Sequence, residues 1–273
     1  MAGKIGFIGT GNMGASILKG VIRSGTARPE DIFIFDADRH KAAALAKETG
    51  VAAAASNSEL VQLSDYIILA VKPVFVGQVM EEIKDSYSNE KVLVSIAVGV
   101  SSDTLRSYLC KESKIVRTMP NLPLMVGEGM TLICFDDNIG SEEKVFVKRL
   151  FEGSGRAEEL EERLMSQVTA LTGSSPAYVF VMIEAMADGA VAQGIPRKLA
   201  YKLAAQAVLG SAKMVLETGL HPAELKDQVC SPAGTTIEAV KSLERNGFRY
   251  SLIDAMDECT ARALEIGRES GSK

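Results

Sequence analysis

The 273-residue chain has no tryptophan, two histidines and only 5% aromatic residues. Its apolar content rests instead on Ala, Val, Leu, Ile and Met, as helix-rich packing around a parallel sheet requires. The four cysteines, Cys110, Cys134, Cys230 and Cys259, lie far apart without C-x-x-C spacing, and only His40 and His221 are there to join them. Neither a disulfide framework nor a zinc site is indicated, and no metal is expected. Basic residues are not in excess: 30 Lys and Arg against 35 Asp and Glu leave a net charge of −5. Nucleic acid is therefore not an expected partner, because a phosphate backbone calls for clustered cations. The first apolar run is shorter than a signal peptide and is broken by glycines, so a cytoplasmic protein without a membrane partner is expected. No internal repeat and no low-complexity linker is found.

What is present begins at Lys4. The run KIGFIGTGNMG is an apolar stretch of strand length that breaks into Gly9-Thr10-Gly11-Asn12-Met13-Gly14 and then into a helical pattern. This is G-x-G-x-x-G between a strand and a helix. Gly9 permits the tight turn, Gly11 leaves room for a pyrophosphate, and Gly14 lets the helix pack on the strand. The free N–H groups of the helix start, with the helix dipole behind them, suit an anion. A second strand, Ile32-Phe33-Ile34-Phe35, ends in Asp36, placed to accept hydrogen bonds from an adenosine ribose. A dinucleotide cofactor is the organising expectation, with a small molecule as substrate.

Strand and helix then alternate. Helices are expected near Met13–Ser24 and Asp38–Glu48, a short strand at Val51–Ala55, and a helix capped by Ser56-Asn57-Ser58-Glu59. Tyr66–Val71 reads as a strand buried on both faces, ending in Lys72-Pro73, where Lys72 stands at the carboxyl end that ligands approach in open α/β sheets. A surface lysine following a strand is the plainer alternative. Strands at Lys91–Ile96 and Lys114–Thr118 run into loops at Ala97-Val98-Gly99-Val100 and Met119-Pro120-Asn121, which should line the same crevice. Met130–Phe135, Ser141–Phe151 and Ala157–Leu160 complete the alternation as strand, helix and edge strand.

Around Glu161 the alternation stops. Helices are expected at Arg163–Leu171, Pro176–Gln193, Pro196–Glu217, Pro222–Val229, Thr235–Arg245 and Phe248–Arg268. Two domains follow, 1–162 and 163–273: a Rossmann-type α/β domain and an all-α domain. The helix from Pro176 is apolar on most faces and must be buried all round, so a second subunit is expected to supply the missing wall. Within this half, Val229-Cys230-Ser231-Pro232-Ala233-Gly234-Thr235-Thr236 sets small and hydroxyl residues just before a helix. The N–H groups of Gly234, Thr235 and Thr236 would suit a small carboxylate, although an ordinary Ser/Thr cap explains the same residues.

Leu225–Glu244, LKDQVCSPAGTTIEAVKSLE, resembles the signature of the pyrroline-5-carboxylate reductases, which reduce 1-pyrroline-5-carboxylate to L-proline as the last step of proline biosynthesis. The likeness extends in register through Gly6-Phe7-Ile8-Gly9, Ala70-Val71-Lys72-Pro73, Ser95-Ile96-Ala97, Met119-Pro120-Asn121, Thr169–Ser174, Pro176-Ala177-Tyr178 and Gly194-Ile195-Pro196-Arg197. The resemblance implies a Rossmann domain followed by an interlocking helical dimerisation domain, an active site at the dimer interface, and rings of dimers. It places Asn57, Val71, Lys72, Ala97 and the loop residue Pro120 with the cofactor. Glu162, Gln228, Val229, Ser231, Gly234, Thr235 and Thr236 fall on the substrate side. Gln228 stands where relatives commonly have Asn, and Ser175 where they have Gly. Of these residues, Thr236 is assigned the catalytic role of holding the ring nitrogen and passing a proton from water.

The cofactor implied is NAD(P)H. Asp36 would repel a ribose 2′-phosphate and leans the reading to NADH, while Arg39, His40 and Lys41 stand near enough to neutralise a phosphate. The related β-hydroxyacid dehydrogenases carry a lysine on the central helix, and none occurs here between Ser174 and Arg197. A noncatalytic redox sensor on the same fold would not need the Val229–Thr236 pocket.

Overall fold

The computed structural model describes residues 3–271, with side chains as far as residue 266. The alternating half forms β1 (Ile5–Ile8), α1 (Asn12–Arg23), β2 (Ile32–Phe35), α2 (Arg39–Thr49), β3 (Ala52–Ala53), α3 (Asn57–Leu63), β4 (Tyr66–Leu69), α4 (Val76–Ile83), β5 (Val92–Ser95), α5 (Ser102–Arg106), β6 (Lys114–Met119), β7 (Gly129–Phe135), α6 (Ser141–Glu152) and β8 (Gly155–Glu159). A short α7 (Met165–Val168) and a π-helical turn, Thr169–Gly173, follow. Then come α8 (Ser175–Ala192), α9 (Arg197–Thr218), α10 (Pro222–Val229), α11 (Thr235–Arg245) and α12 (Phe248–Gly271).

All eight strands join one sheet in the order β3-β2-β1-β4-β5-β6-β7-β8. Pairing is parallel from β3 to β6, because each crossover carries a helix on one face. β7 runs antiparallel to β6, and β8 is parallel to β7 at the sheet's edge. The inner strands β1 and β5 are buried at every residue, as continuous apolar runs between two helical layers should be. On one face Ile17, Leu18 and Val21 of α1 pack with Val147, Leu150 and Phe151 of α6. On the other, Leu60 and Val61 of α3 meet Val79, Met80 and Ile83 of α4.

Local chemistry sets the helix starts. Asp38 accepts from the N–H groups of His40 and Lys41, Ser56 from Glu59, and Ser101 from Thr104. His221 caps α10 through Nδ1, which accepts from the Ala223 N–H at 3.2 Å, while Pro222 takes the first helical position. The single helix expected at Arg163–Leu171 is instead a 3-10 turn at Glu162–Leu164, then α7, then the π turn.

The chain divides into two compact units, one reaching to Gly173 and including the segment from Cys259 onward, the other Ser174–Glu258. In the second unit α8 packs on α9. Its buried hydrophobic residues are Ala187, Ala200 and Ala204, whereas Phe180 is 56% and Val181 66% exposed. The chain therefore does not bury the apolar helix by itself.

Candidate active site

The strand order reverses at β1, which has β2 on one side and β4 on the other, and a crevice of about 420 Å3 opens over their carboxyl ends. Gly9, Gly11, Asp36, Asn57, Val71 and Lys72 line it together, whereas the loops at Ala97–Val100 and Met119–Asn121, expected at the same crevice, are not among its lining residues. Gly9 has φ +99°, a conformation L side chains rarely adopt, and its N–H donates to the Phe35 carbonyl at 2.8 Å. A Cβ on Gly14 would lie 2.4 Å from the Gly9 carbonyl oxygen, so only glycine lets α1 start this close to β1. A Cβ on Gly11 would meet no protein atom within 4 Å. The space beside it is open, and the first turn of α1, from Asn12 through Met13 and Gly14, holds no acidic residue. That helix start suits a pyrophosphate.

Asp36 is held by its neighbours. Its Oδ2 accepts from the Thr10 N–H at 2.6 Å and the Thr10 hydroxyl at 2.9 Å, and its Oδ1 from the Asp38 N–H at 2.9 Å. Burial alone would raise the Asp36 pKa. The donors from Thr10 and Asp38, with the charge of Lys41, outweigh it and hold the carboxyl below its ordinary value. A carboxylate offers about four acceptor positions; three are filled, which leaves one on Oδ1 for a ribose hydroxyl.

The cations after Asp36 are differently placed than their sequence proximity suggests. Arg39 stacks over the Phe35 ring at 4.6 Å and donates to the carbonyls of Ala54 and Ala55 at 3.2 and 2.6 Å. Its guanidinium is engaged in holding the β3–α3 connection. His40 is exposed, while Lys41 lines the crevice with its Nζ 3.7 Å from Asp38.

Asn57 is 5% exposed, and its Nδ2 donates to Glu82 Oε2 at 2.7 Å. Ala97 is buried, its N–H donating to Ser95 Oγ at 3.2 Å. Pro120 follows β6 at its carboxyl end. The neighbouring Asn121 pins that loop by donating to the Thr172 carbonyl at 3.0 Å and accepting from the Met130 N–H at 2.9 Å. The crevice also takes in Phe75, Gln78 and Glu82, which the sequence motifs do not single out. Their signal is the i, i+3, i+7 spacing of the helix after Lys72-Pro73, one face of which turns to the crevice.

In the helical unit, Gln228 and Val229 end α10, while Thr235 and Thr236 begin α11. Between them the chain turns through Ala233 at φ 56°, the one non-glycine residue with positive φ among the described residues. The Gly234 N–H donates to the Ser231 carbonyl at 3.0 Å, so it is not free for a ligand, which corrects its place among the expected donors. The donors at the helix start are those of Thr235, Thr236 and the next residue, Ile237. A Cβ on Gly234 would lie 2.3 Å from Ser231 Oγ, and Gly234 caps the helix without a side chain. The first turn of α11 carries Glu238, which pairs with Lys241 at 3.0 Å, and no side chain caps the helix start, so the N–H groups there suit an outside anion. Replacing Ala233 by Gly should relieve the left-handed strain and stabilise the chain by about 0.5 kcal/mol, measured by thermal denaturation, part of the gain being offset in the unfolded state.

Glu162 lies in the first unit, where its Oε1 accepts from the Ser102 N–H at 3.0 Å and from Arg117 Nη1 at 3.3 Å. Asp188 on α8 pairs with Arg197, both exposed. Burial and nearby carboxylates push the Cys134 thiol up to about 11, which leaves it protonated and unreactive at neutral pH.

Residues 162–266 match the family described as pyrroline-5-carboxylate reductase dimerisation, and residues 4–99 that described as NADP oxidoreductase, coenzyme F420-dependent. The pyrroline-5-carboxylate reductase of Escherichia coli is 48% identical over 268 residues, covering 98% of this chain and 100% of that one. The chain belongs to the pyrroline-5-carboxylate reductase family. The reductase of Methanosarcina acetivorans is 42% identical over 97% of this chain and 98% of its own. Among solved structures, the pyrroline-5-carboxylate reductase of Coxiella burnetii superposes with a TM-score of 0.92 at 33% identity, over 97% of this chain and 99% of that one. The pyrroline carboxylate reductase of Plasmodium falciparum, solved with NADP bound, gives 0.86 at 34% identity, over 97% and 98%. The architecture is thus the family's: a Rossmann domain followed by a helical dimerisation domain. The segment Glu162–Ala192 is long and apolar enough to cross a membrane by length and composition alone, and it lies within the dimerisation match.

Proposed function

We propose that this chain reduces 1-pyrroline-5-carboxylate to L-proline with NAD(P)H, completing proline biosynthesis in the cytoplasm. The observation that carries the reading is full-length identity of 37–48% to pyrroline-5-carboxylate reductases, joined to a crevice whose glycine turn and ionised Asp36 fit a dinucleotide. When bound, NAD(P)H supplies the hydride for the C=N carbon, so the protein's own work is orientation and exclusion of water. The N–H groups of Thr235, Thr236 and Ile237 hold the substrate carboxylate at the positive end of α11. The Thr236 hydroxyl donates to the ring nitrogen and relays a proton to it from water. Ser231, Gln228 and Val229 shape the same pocket, and Glu162 acts on the substrate side from its pairing with Arg117.

The cofactor preference proposed is for NADH, with NADPH accepted. Asp36 keeps a negative charge where a 2′-phosphate would go, and Arg39 is already bonded to two carbonyls. Purified protein mixed with 1-pyrroline-5-carboxylate should oxidise NADH faster than NADPH and yield proline. Binding of dinucleotide without oxidation of either would sink the reductase reading.

The family's dimerisation region supports a homodimer through the helical domain, and further assembly into a ring of dimers is proposed with it; no membrane or nucleic acid is involved. Phe180 and Val181 on α8 are the residues to change. Replacing both with Glu should leave a monomer by light scattering, because two charges would be carried into an apolar interface. An unchanged mass would mean that this face of α8 does not join subunits.

A further inference from the structure

We propose that Glu82 reads the base of the cofactor, accepting a hydrogen bond from the exocyclic amino group of adenine and so rejecting dinucleotides whose base carries a carbonyl there. The proposal rests on the reading of the β1 crevice as the dinucleotide site and names a specificity residue within it. Phe75, Gln78, Val79 and Glu82 follow the i, i+3, i+4, i+7 spacing of one helix face, and all four line the crevice. With Phe35 and Val71 they form a slot that is apolar along its sides and polar at its edge, the surroundings that suit a flat base.

Glu82 is the acceptor of that edge. Its Oε2 accepts from Asn57 Nδ2 at 2.7 Å and its Oε1 from Gln78 Nε2 at 2.9 Å. The carboxylate is thereby held from both sides, and each oxygen keeps a second acceptor position. Asn57 and Gln78 direct their amino groups at Glu82, so the edge they complete is an acceptor edge. Adenine brings an amino donor to such an edge. Hypoxanthine brings a carbonyl oxygen to that position and moves its N–H to the adjacent ring nitrogen, so the oxygen that faces the carboxylate has no proton to offer it.

The test is calorimetric titration of the full-length protein with NADH, with NADPH and with reduced nicotinamide hypoxanthine dinucleotide, alongside Glu82→Gln and Asp36→Ser. The wild type should bind NADH about ten-fold more tightly, the value of one charge-assisted hydrogen bond at a partly exposed site. Glu82→Gln should bring the two within about two-fold, because an amide can turn its N–H2 toward the carbonyl. A purely structural part for Glu82, through Asn57, would weaken both ligands alike and leave their ratio unmoved. Equal wild-type affinities, or a ratio unmoved by Glu82→Gln while NADH still binds, would overturn the base assignment alone. If Asp36→Ser alters the affinity of neither NADH nor NADPH, the crevice reading falls and this proposal with it.

Discussion

Replacing Asp36 by Ser should shift the ratio of kcat/KM for NADPH over NADH upward by about 10- to 100-fold. Two effects act in the same direction. The first is removal of a negative charge from the place of the 2′-phosphate, since like charges about 4 Å apart near a protein surface repel by roughly 4 kcal/mol. Lys41 offsets part of that, which is why the expected shift is smaller than the bare Coulomb value allows. The second effect comes from the donors that Asp36 now occupies. Without its carboxylate, the Thr10 N–H and hydroxyl and the Asp38 N–H face the space that a phosphate oxygen would enter. Charge-assisted bonds to phosphate are strong, so these freed groups should attract as well as cease to repel. Steady-state kinetics with both cofactors would check it. A ratio unchanged within two-fold would mean that the ribose hydroxyls lie away from Asp36 and that the preference is set elsewhere.

Asp36 also shows where sequence is informative and where it stops. The acid at the end of β2, the glycine turn and the strand that follows α3 are contiguous or fixed in spacing, so the order of residues alone makes them legible. Helix starts are legible for the same reason: Asp38, Ser56 and His221 cap helices with atoms two or three residues away. What depends on distant residues is not. The cations in the first turn of α2, just after Asp36, look available to a phosphate, yet Arg39 turns away because the Phe35 ring and the carbonyls of Ala54 and Ala55 take its guanidinium. Glu82 carries no motif of its own because its meaning lies in Asn57, 25 residues earlier in the chain. The antiparallel turn of β7 onto β6 and the π turn at Thr169–Gly173 likewise have no local signature, since either residue run fits ordinary strand or helix periodicity.

The α11 start combines both kinds of information, and it carries the second large effect. Thr236→Ala should lower kcat by about 10- to 100-fold while leaving the Kd for NADH unchanged. The hydroxyl is assigned to the ring nitrogen, an interaction that matters most as the C=N carbon accepts hydride and the nitrogen gains basicity. Its loss should therefore appear in turnover before it appears in binding. Thr235→Ala offers the contrast. Thr235 is exposed and Thr236 half-buried, and the backbone N–H of either survives truncation of the side chain. The carboxylate should thus stay in place in both variants, with Thr235→Ala changing KM by only a few-fold. Thr236→Ser keeps the hydroxyl and should restore most of the rate, which separates a lost proton relay from a disturbed helix start. If Thr236→Ala turns over like the wild type, the proton comes from solvent without help from this side chain, and the part left to the α11 start is to hold the carboxylate.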